Sequence, residues 1–385
     1  MSLNYNEIVG KSDKYIFQTY TRQPIAIKKA RGAVVTDVNG KEYIDCVAGI
    51  AVNNVGHCHP AVVDAIKRQA EELIHVSNLY YLECQALLAE QLVNLSGTNR
   101  VFFCNSGAEA VEGALKLARK VSGKKEFIAT EHAFHGRTRG ALSVTHKEKY
   151  RKPFEPLSPS VFVPYNDAEA IRNAITRDTA GIIVEPIQGE GGVIVPSDEY
   201  LKEVREICDE TGTLLILDEV QTGFGRTGKW FAKEHSGILP DIMTTAKAMG
   251  GGFPMGALLA VEDTAVNFGR GDHASTFGGS PLACAAALAN IDVMKKERLV
   301  ERSGELGTYL MGKLAGMNKD YVTEIRGRGL MVGMELSINC EDIVNKTRER
   351  GILLNCTSGS VLRFVPPLTI TKEQLDTVVS VLNEI

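Results

Sequence analysis

Several features are scarce or missing in this 385-residue chain. No apolar run approaches the roughly 20 residues that span a bilayer. No cluster of Lys and Arg builds the positive patch that nucleic acid requires. Instead, 43 basic and 47 acidic residues are scattered along the chain, for a net charge of −4. No two of the eight cysteines form a C-x-x-C pair, which removes the usual redox and zinc-ribbon signatures. No low-complexity linker and no internal repeat interrupts the sequence, and 1–17 mixes Asn, Glu, Lys and Asp as no secretory signal does. The expectation is a cytoplasmic protein with no membrane or nucleic-acid partner.

The cysteines (Cys46, Cys58, Cys84, Cys104, Cys208, Cys284, Cys340 and Cys356) sit mostly in apolar contexts and read as buried free thiols. His57-Cys58-His59 looks like a metal cluster, but neighbours on an extended chain point apart and no second pair at zinc spacing follows, so no metal is expected. What is abundant is glycine, 37 residues against a usual share of about 7%. The glycines concentrate in 189–192, 223–228, 250–252 and 269–279.

The length suggests two to three domains. Ala33 to Asp37 and Glu42 to Asp45 read as two short strands joined by Asn39-Gly40, a strong hairpin signal. Pro60 opens a helix that runs through Val62, Val63 and Ile66 towards Ile74. Short apolar runs then follow at 101–104, 127–129, 142–144, 182–184, 214–217, 242–245 and 258–261, with helical stretches between several of them. Runs buried on both faces and separated by helices predict an α/β fold with a mostly parallel central sheet and helices on both faces. From Pro281 onwards long helices alternate with few strands, which reads as a smaller α+β C-terminal domain.

In such a sheet, ligands bind beyond the carboxyl ends of the strands, so the residues after each apolar run carry the functional argument. After Cys104 come Asn105, Ser106, Gly107 and Ala108 and then a helix, which offers free amides and a hydroxyl to a phosphate. An ordinary capped helix would use the same serine. After Leu217 comes Asp218, either a turn residue or an acceptor aimed into the crevice. After Thr245 comes Lys247, flanked by apolar residues and followed by Gly250, Gly251 and Gly252. A lysine desolvated at a strand end is suited to Schiff-base chemistry, whereas a surface lysine snorkelling outwards would not need three glycines beside it. Phosphate cradle, carboxylate and buried amine together are the set that pyridoxal 5′-phosphate requires. Two decoys fail. The stretch from Gly223 to Lys229 fits G-x-x-x-x-G-K, but Trp230 stands where the Mg²⁺-binding hydroxyl belongs. No G-x-G-x-x-G opens a helix after a strand.

The motifs 105–110 (NSGAEA), 133–138 (AFHGRT), 185–192 (EPIQGEGG), 217–228 (LDEVQTGFGRTG), 246–250 (AKAMG) and 275–279 (STFGG), in this order, resemble the ornithine-type, class III aminotransferases. These are pyridoxal phosphate enzymes of fold type I. The segments 48–53 and 77–81 resemble the acetylornithine branch. The resemblance implies an N-terminal segment, 1–58, packing with the small domain, a cofactor-binding large domain, 59–286, and a C-terminal small domain, 287–385. It implies that Lys247 binds the cofactor covalently and shuttles a proton, and that Asp218 pairs with the pyridinium nitrogen. It likewise implies that Gln221 lies near the phenolic oxygen, that Ser106, Gly107 and Ala108 hold the phosphate, and that Phe134 and Val220 pack on the two ring faces. The resemblance also implies that Thr276 reaches the neighbouring subunit's phosphate and hence that the protein is a homodimer. For Phe134, ordinary core packing is the alternative.

Two arginines bear on the substrate. Arg363 lies inside an apolar strand, where burial demands a partner, and the resemblance supplies Glu190. Arg137 is expected to hold the substrate's distant carboxylate bidentately, with Ser77 and Asn78 near the acyl end and Ser275 also binding substrate. A gated Arg363 suits an enzyme that alternates between glutamate and a donor lacking a carboxylate beside its reacting amine. The expectation is ping-pong transamination from N2-acetyl-L-ornithine to 2-oxoglutarate, as in arginine biosynthesis. A related ω-aminotransferase acting on succinylornithine, ornithine, a carrier-bound lysine or ornithine derivative, or 4-aminobutyrate is the alternative. A non-catalytic regulator of the same fold would need a basic helix-turn-helix, and none precedes Phe17.

Overall fold

The computed structural model describes residues 3–317 and 319–385. Its strands, in chain order, are β1 (Ile27–Arg31), β2 (Val34–Asp37), β3 (Glu42–Asp45), β4 (Arg100–Cys104), β5 (Glu126–Thr130), β6 (Ser160–Val163), β7 (Thr179–Val184), β8 (Leu214–Asp218), β9 (Ile242–Thr245), β10 (Gly256–Ala260), β11 (Val322–Arg328), β12 (Met331–Leu336), β13 (Ile352–Leu353), β14 (Asn355–Thr357) and β15 (Val361–Phe364). The central sheet has seven strands in the order β4-β10-β9-β8-β7-β5-β6. Only β10 runs against its neighbours, β4 and β9. The others are parallel, so β4, β5, β7, β8 and β9 all end at one edge.

Alternation along each strand builds two separate cores. Phe127, Ala129, Ile183, Ile216 and Ile242 pack on one face under the helix Gly107–Ser122. Ile128, Ile182, Val184, Leu215 and Leu217 pack on the other against Tyr200, Val204 and Ile207. Because helices cover both faces, the period-two pattern is filled with apolar residues throughout, and it reads as a continuous run. Each such buried aliphatic side chain contributes about 1.5–3 kcal/mol. The helix Gly107–Ser122 starts where Ser106 accepts the Glu109 N–H and stops at Gly123, whose φ of 70° suits glycine.

Two smaller sheets flank this body. The expected hairpin is present as antiparallel β2 and β3, and β3 pairs in parallel with β13 from the far end of the chain. The C-terminal sheet, β11-β12-β15-β14, is antiparallel throughout. Fully buried Arg226 lies where the segments meet. It donates to the carbonyls of Leu330 (2.8 Å) and Pro366 (2.6 Å) and to Asn54 Oδ1.

Three expectations need correction. Cys340 and Cys356 form a disulfide, so not all eight cysteines are free thiols, and Cys58 is exposed rather than buried. The run 142–144 is no strand. It lies at the end of the helix Arg139–Ser143, because three apolar residues carry no period that separates the two structures. The helix from Pro60 ends at Glu72, which leaves Ile74 exposed.

Candidate active site

The shared edge of the parallel strands delivers one group per strand. Ser106, Gly107 and Ala108 follow β4, Asp218 ends β8, Lys247 follows β9, and Phe134 and His135 follow β5. Together with Val220 and Gln221, these residues line a single cavity of about 420 Å³, a volume typical of small-molecule sites.

Each group is held by its surroundings. Asp218 is buried, and its Oδ2 lies 2.7 Å from His135 Nδ1. Its Oδ1 accepts from Val220 N (3.0 Å) and Thr244 Oγ1 (3.1 Å). Three bonds leave this carboxylate one free lone-pair site. Lys247 opens a single 3₁₀ turn with a φ of 45°, a backbone conformation that strains any residue with a Cβ. Burial pushes its amine below the ordinary lysine range, and nearby Arg363 adds to this against the pull of Glu190. Of the three glycines that follow, only Gly252 lines the cavity. A Cβ on Gly251 would stand 3.0 Å from Asn290 Oδ1, so that glycine serves close packing.

The residues fit pyridoxal phosphate. The long helix presents its first amides and Ser106 at one end of the cavity. A Cβ on Gly107 would come within 2.8 Å of Val220 Cγ1, so the backbone and this cavity-lining side chain approach as only glycine allows. An amine with depressed basicity and a buried carboxylate complete the set.

Arg363 is fully buried on β15. Its Nη1 is 2.6 Å from Glu190 Oε1 and 3.2 Å from Gln221 Oε1, and Asn355 Oδ1 accepts from its Nε at 3.3 Å. Burial pushes the Glu190 carboxyl up, but the Arg363 charge and hydrogen bond, then Lys247, outweigh it and leave Glu190 below the usual range. Arg363 Nη2 is buried without a partner. Arg137 is exposed, with its guanidinium carbon 3.4 Å from the Tyr150 ring centroid and 5.5 Å from that of Phe134.

Asn78, Ser275 and Thr276 lie apart from the cavity lining. Asn78 donates to the carbonyls of Ser275 (3.0 Å) and Gly278 (2.9 Å). Ser275 Oγ accepts from Asn105 Nδ2 at 3.2 Å, its link to the cavity, while Thr276 is exposed. His57 and His59 pair with carboxylates, at 2.7 Å from Asp45 and 3.0 Å from Glu297. Two residues went without a role in the sequence reading. His135 braces Asp218, and Glu185, at the end of β7, lines the cavity. The strand-end rule that finds Asp218 also finds Glu185.

A fold of this topology with a lysine, a carboxylate and a phosphate cradle on one edge defines a pyridoxal phosphate-dependent transferase of fold type I. The aminotransferase class-III family model matches residues 15–385, and the chain belongs to that family. It is similar to the acetylornithine aminotransferase of Methanosarcina acetivorans, 65% identical over 99% of this chain and 96% of that one. Among solved structures it resembles the ornithine aminotransferase of Toxoplasma gondii, with a TM-score of 0.95 at 36% identity, covering 100% of this chain and 95% of that one. It also resembles the acetylornithine aminotransferase of Elizabethkingia anophelis, with a TM-score of 0.89 at 33% identity, covering 100% and 99%. The protein is therefore a pyridoxal phosphate-dependent aminotransferase.

Proposed function

We propose that this aminotransferase moves the terminal amine of N2-acetyl-L-ornithine to 2-oxoglutarate, giving N-acetyl-L-glutamate 5-semialdehyde and L-glutamate, a step of arginine biosynthesis. The observation that carries this reading is the buried Arg363–Glu190 pair, 2.6 Å apart beside Lys247. The names of relatives sharing half or more of its residues support the donor.

Bound pyridoxal phosphate supplies the electron sink that lets an amino group pass between carbon skeletons. The chain's own residues do the rest. Ser106, Gly107 and Ala108 would hold the cofactor's phosphate, Asp218, braced by His135, would pair with its ring nitrogen, Gln221 would bond its phenolic oxygen, and Phe134 and Val220 would pack against its ring. Lys247 anchors the cofactor and moves a proton to and from the reacting carbon. Arg137 holds the distant carboxylate of either substrate. When acetylornithine is bound, Glu190 neutralises Arg363, so an uncharged chain end can lie beside it. When glutamate or 2-oxoglutarate is bound, Arg363 takes the near carboxylate bidentately. Ser77 and Asn78 would contact the acyl end, and Ser275 would bind substrate beside them.

Thr276 belongs in this reading to the neighbouring active site of a homodimer. Exposed Tyr15, Phe17, Tyr20, Leu79, Tyr81 and Phe277 support a covered apolar surface. The pairing of β3 with β13 supports a segment 1–58 packed with a small domain of 287–385, outside a large domain of 59–286. No described helix is long and apolar enough to cross a membrane, and the reading is of a cytoplasmic enzyme without nucleic-acid partners.

Single-turnover spectra against acetylornithine, succinylornithine, ornithine and 4-aminobutyrate test the donor. Acetylornithine is expected to react fastest, and no reaction with it overturns the proposal.

A further inference from the structure

Two loops that carry the substrate roles proposed above converge on one side chain. Glu185 follows β7 and is 5% exposed. Its Oε1 accepts the backbone N–H of Phe134 at 3.0 Å, and its Oε2 accepts that of Gly189 at 3.1 Å. The first amide belongs to the loop that carries Arg137 three residues further on. The second belongs to the turn whose next residue is Glu190. One carboxylate thus bonds both parts of the substrate grip. Gln188 ties the same turn to Thr130 Oγ1 (3.1 Å) and the Glu131 carbonyl (2.6 Å). The turn therefore stays attached to β5 when Glu185 is altered, and what Glu185 fixes is local spacing. Only a carboxylate accepts both N–H groups, because an amide presents its own NH₂ to one of them. In a buried site such a mismatch is not relieved by water.

We propose that Glu185 is a positioning residue that fixes the distance between Arg137 and the Glu190–Arg363 pair, and so sets the length of carbon chain the site accepts. This rests on the substrate roles proposed above for those three residues. A site of fixed length discriminates one methylene by about 10–200-fold, and one that flexes does not.

The test is Glu185→Gln on the holoenzyme, with unchanged cofactor absorbance as the control for an intact site. Calorimetry of glutarate and adipate, which cannot react, reads length preference without turnover. Half-reactions with acetylornithine and with its homologues one methylene shorter and longer read it kinetically. The wild type is expected to prefer the native length, and the variant to lose about tenfold of that preference, mostly in KM rather than kcat. If Glu185→Gln does not fold, Glu185→Asp, whose reach is one methylene shorter, is expected to shift the preference in the same assays. Arg137→Ala separates the two readings. If it leaves dicarboxylate affinity unchanged, the substrate roles fail. If it abolishes the length preference while both Glu185 variants keep the wild-type preference, the positioning role alone is overturned.

Discussion

At the scale of single residues, the site is a set of charges that burial makes expensive and geometry makes useful. Lys247 illustrates this. Its amine is pushed down by burial, and a less protonated amine is the form that attacks an aldehyde and accepts a proton. Lys247→Ala is expected to remove the visible band of lysine-bound cofactor and to lower transamination by on the order of 10⁴-fold or more. Full activity in that variant would refute the site. Glu190 tests a different property. With Glu190→Ala, buried Arg363 loses its ion-pair partner and faces the uncharged chain of acetylornithine, whereas glutamate brings its own carboxylate. The acetylornithine half-reaction is expected to slow by roughly tenfold or more beyond the glutamate one, since an unpaired buried charge costs several kcal/mol. Stopped-flow measurement of both halves checks this, and equal losses would remove the gate.

At the scale of elements, legibility follows from burial. β7, β8 and β9 were readable because both faces are covered, which favours largely apolar runs. β6 was not found. Ser160–Val163 is a short, partly exposed edge strand whose apolar residues, Val161, Phe162 and Val163, number only three and carry no period of their own. The cavity-lining half of the site followed from the strand ends. The Glu190–Arg363 contact did not, because 173 residues separate the partners and only the family resemblance joined them. The disulfide was equally hidden. Cys340 caps the helix Glu341–Glu349 and Cys356 lies in β14, 16 positions apart with no motif between them. That bond closes a short loop behind Asn355, which accepts from Arg363. Loop closure of this size is worth about 3 kcal/mol in the chain-entropy account. Reduction, or Cys340→Ala with Cys356→Ala, is expected to lower the melting temperature by a few degrees. An unchanged midpoint would show that the bond carries no stability.

For the whole molecule, the same carboxylate that grips the two loops also weighs on the fold. Burial, aided by the nearby Asp218 charge, pushes the Glu185 carboxyl up to about 7. His135 and the amides of Phe134 and Gly189 oppose the rise. The folded protein therefore holds a proton that the unfolded chain releases near its ordinary value of about 4.3. Between that value and about 7, the folded state binds more protons than the unfolded one, so Glu185's contribution to stability falls as pH rises. It is fully present below the lower value and fully lost above the upper one. A gap of this size corresponds to roughly 4 kcal/mol. Other groups titrate in the same range, so the informative quantity is the difference between wild type and Glu185→Gln. Melting temperatures measured from pH 4 to pH 8 are expected to show the wild type losing several degrees relative to the variant, with the loss complete by about pH 8. The loops would then be held most firmly by the ionised carboxylate at the pH where that ionisation costs the fold most. A difference that stays flat across the range would mean that Glu185 titrates as an ordinary carboxyl, and the opposition between grip and stability would disappear.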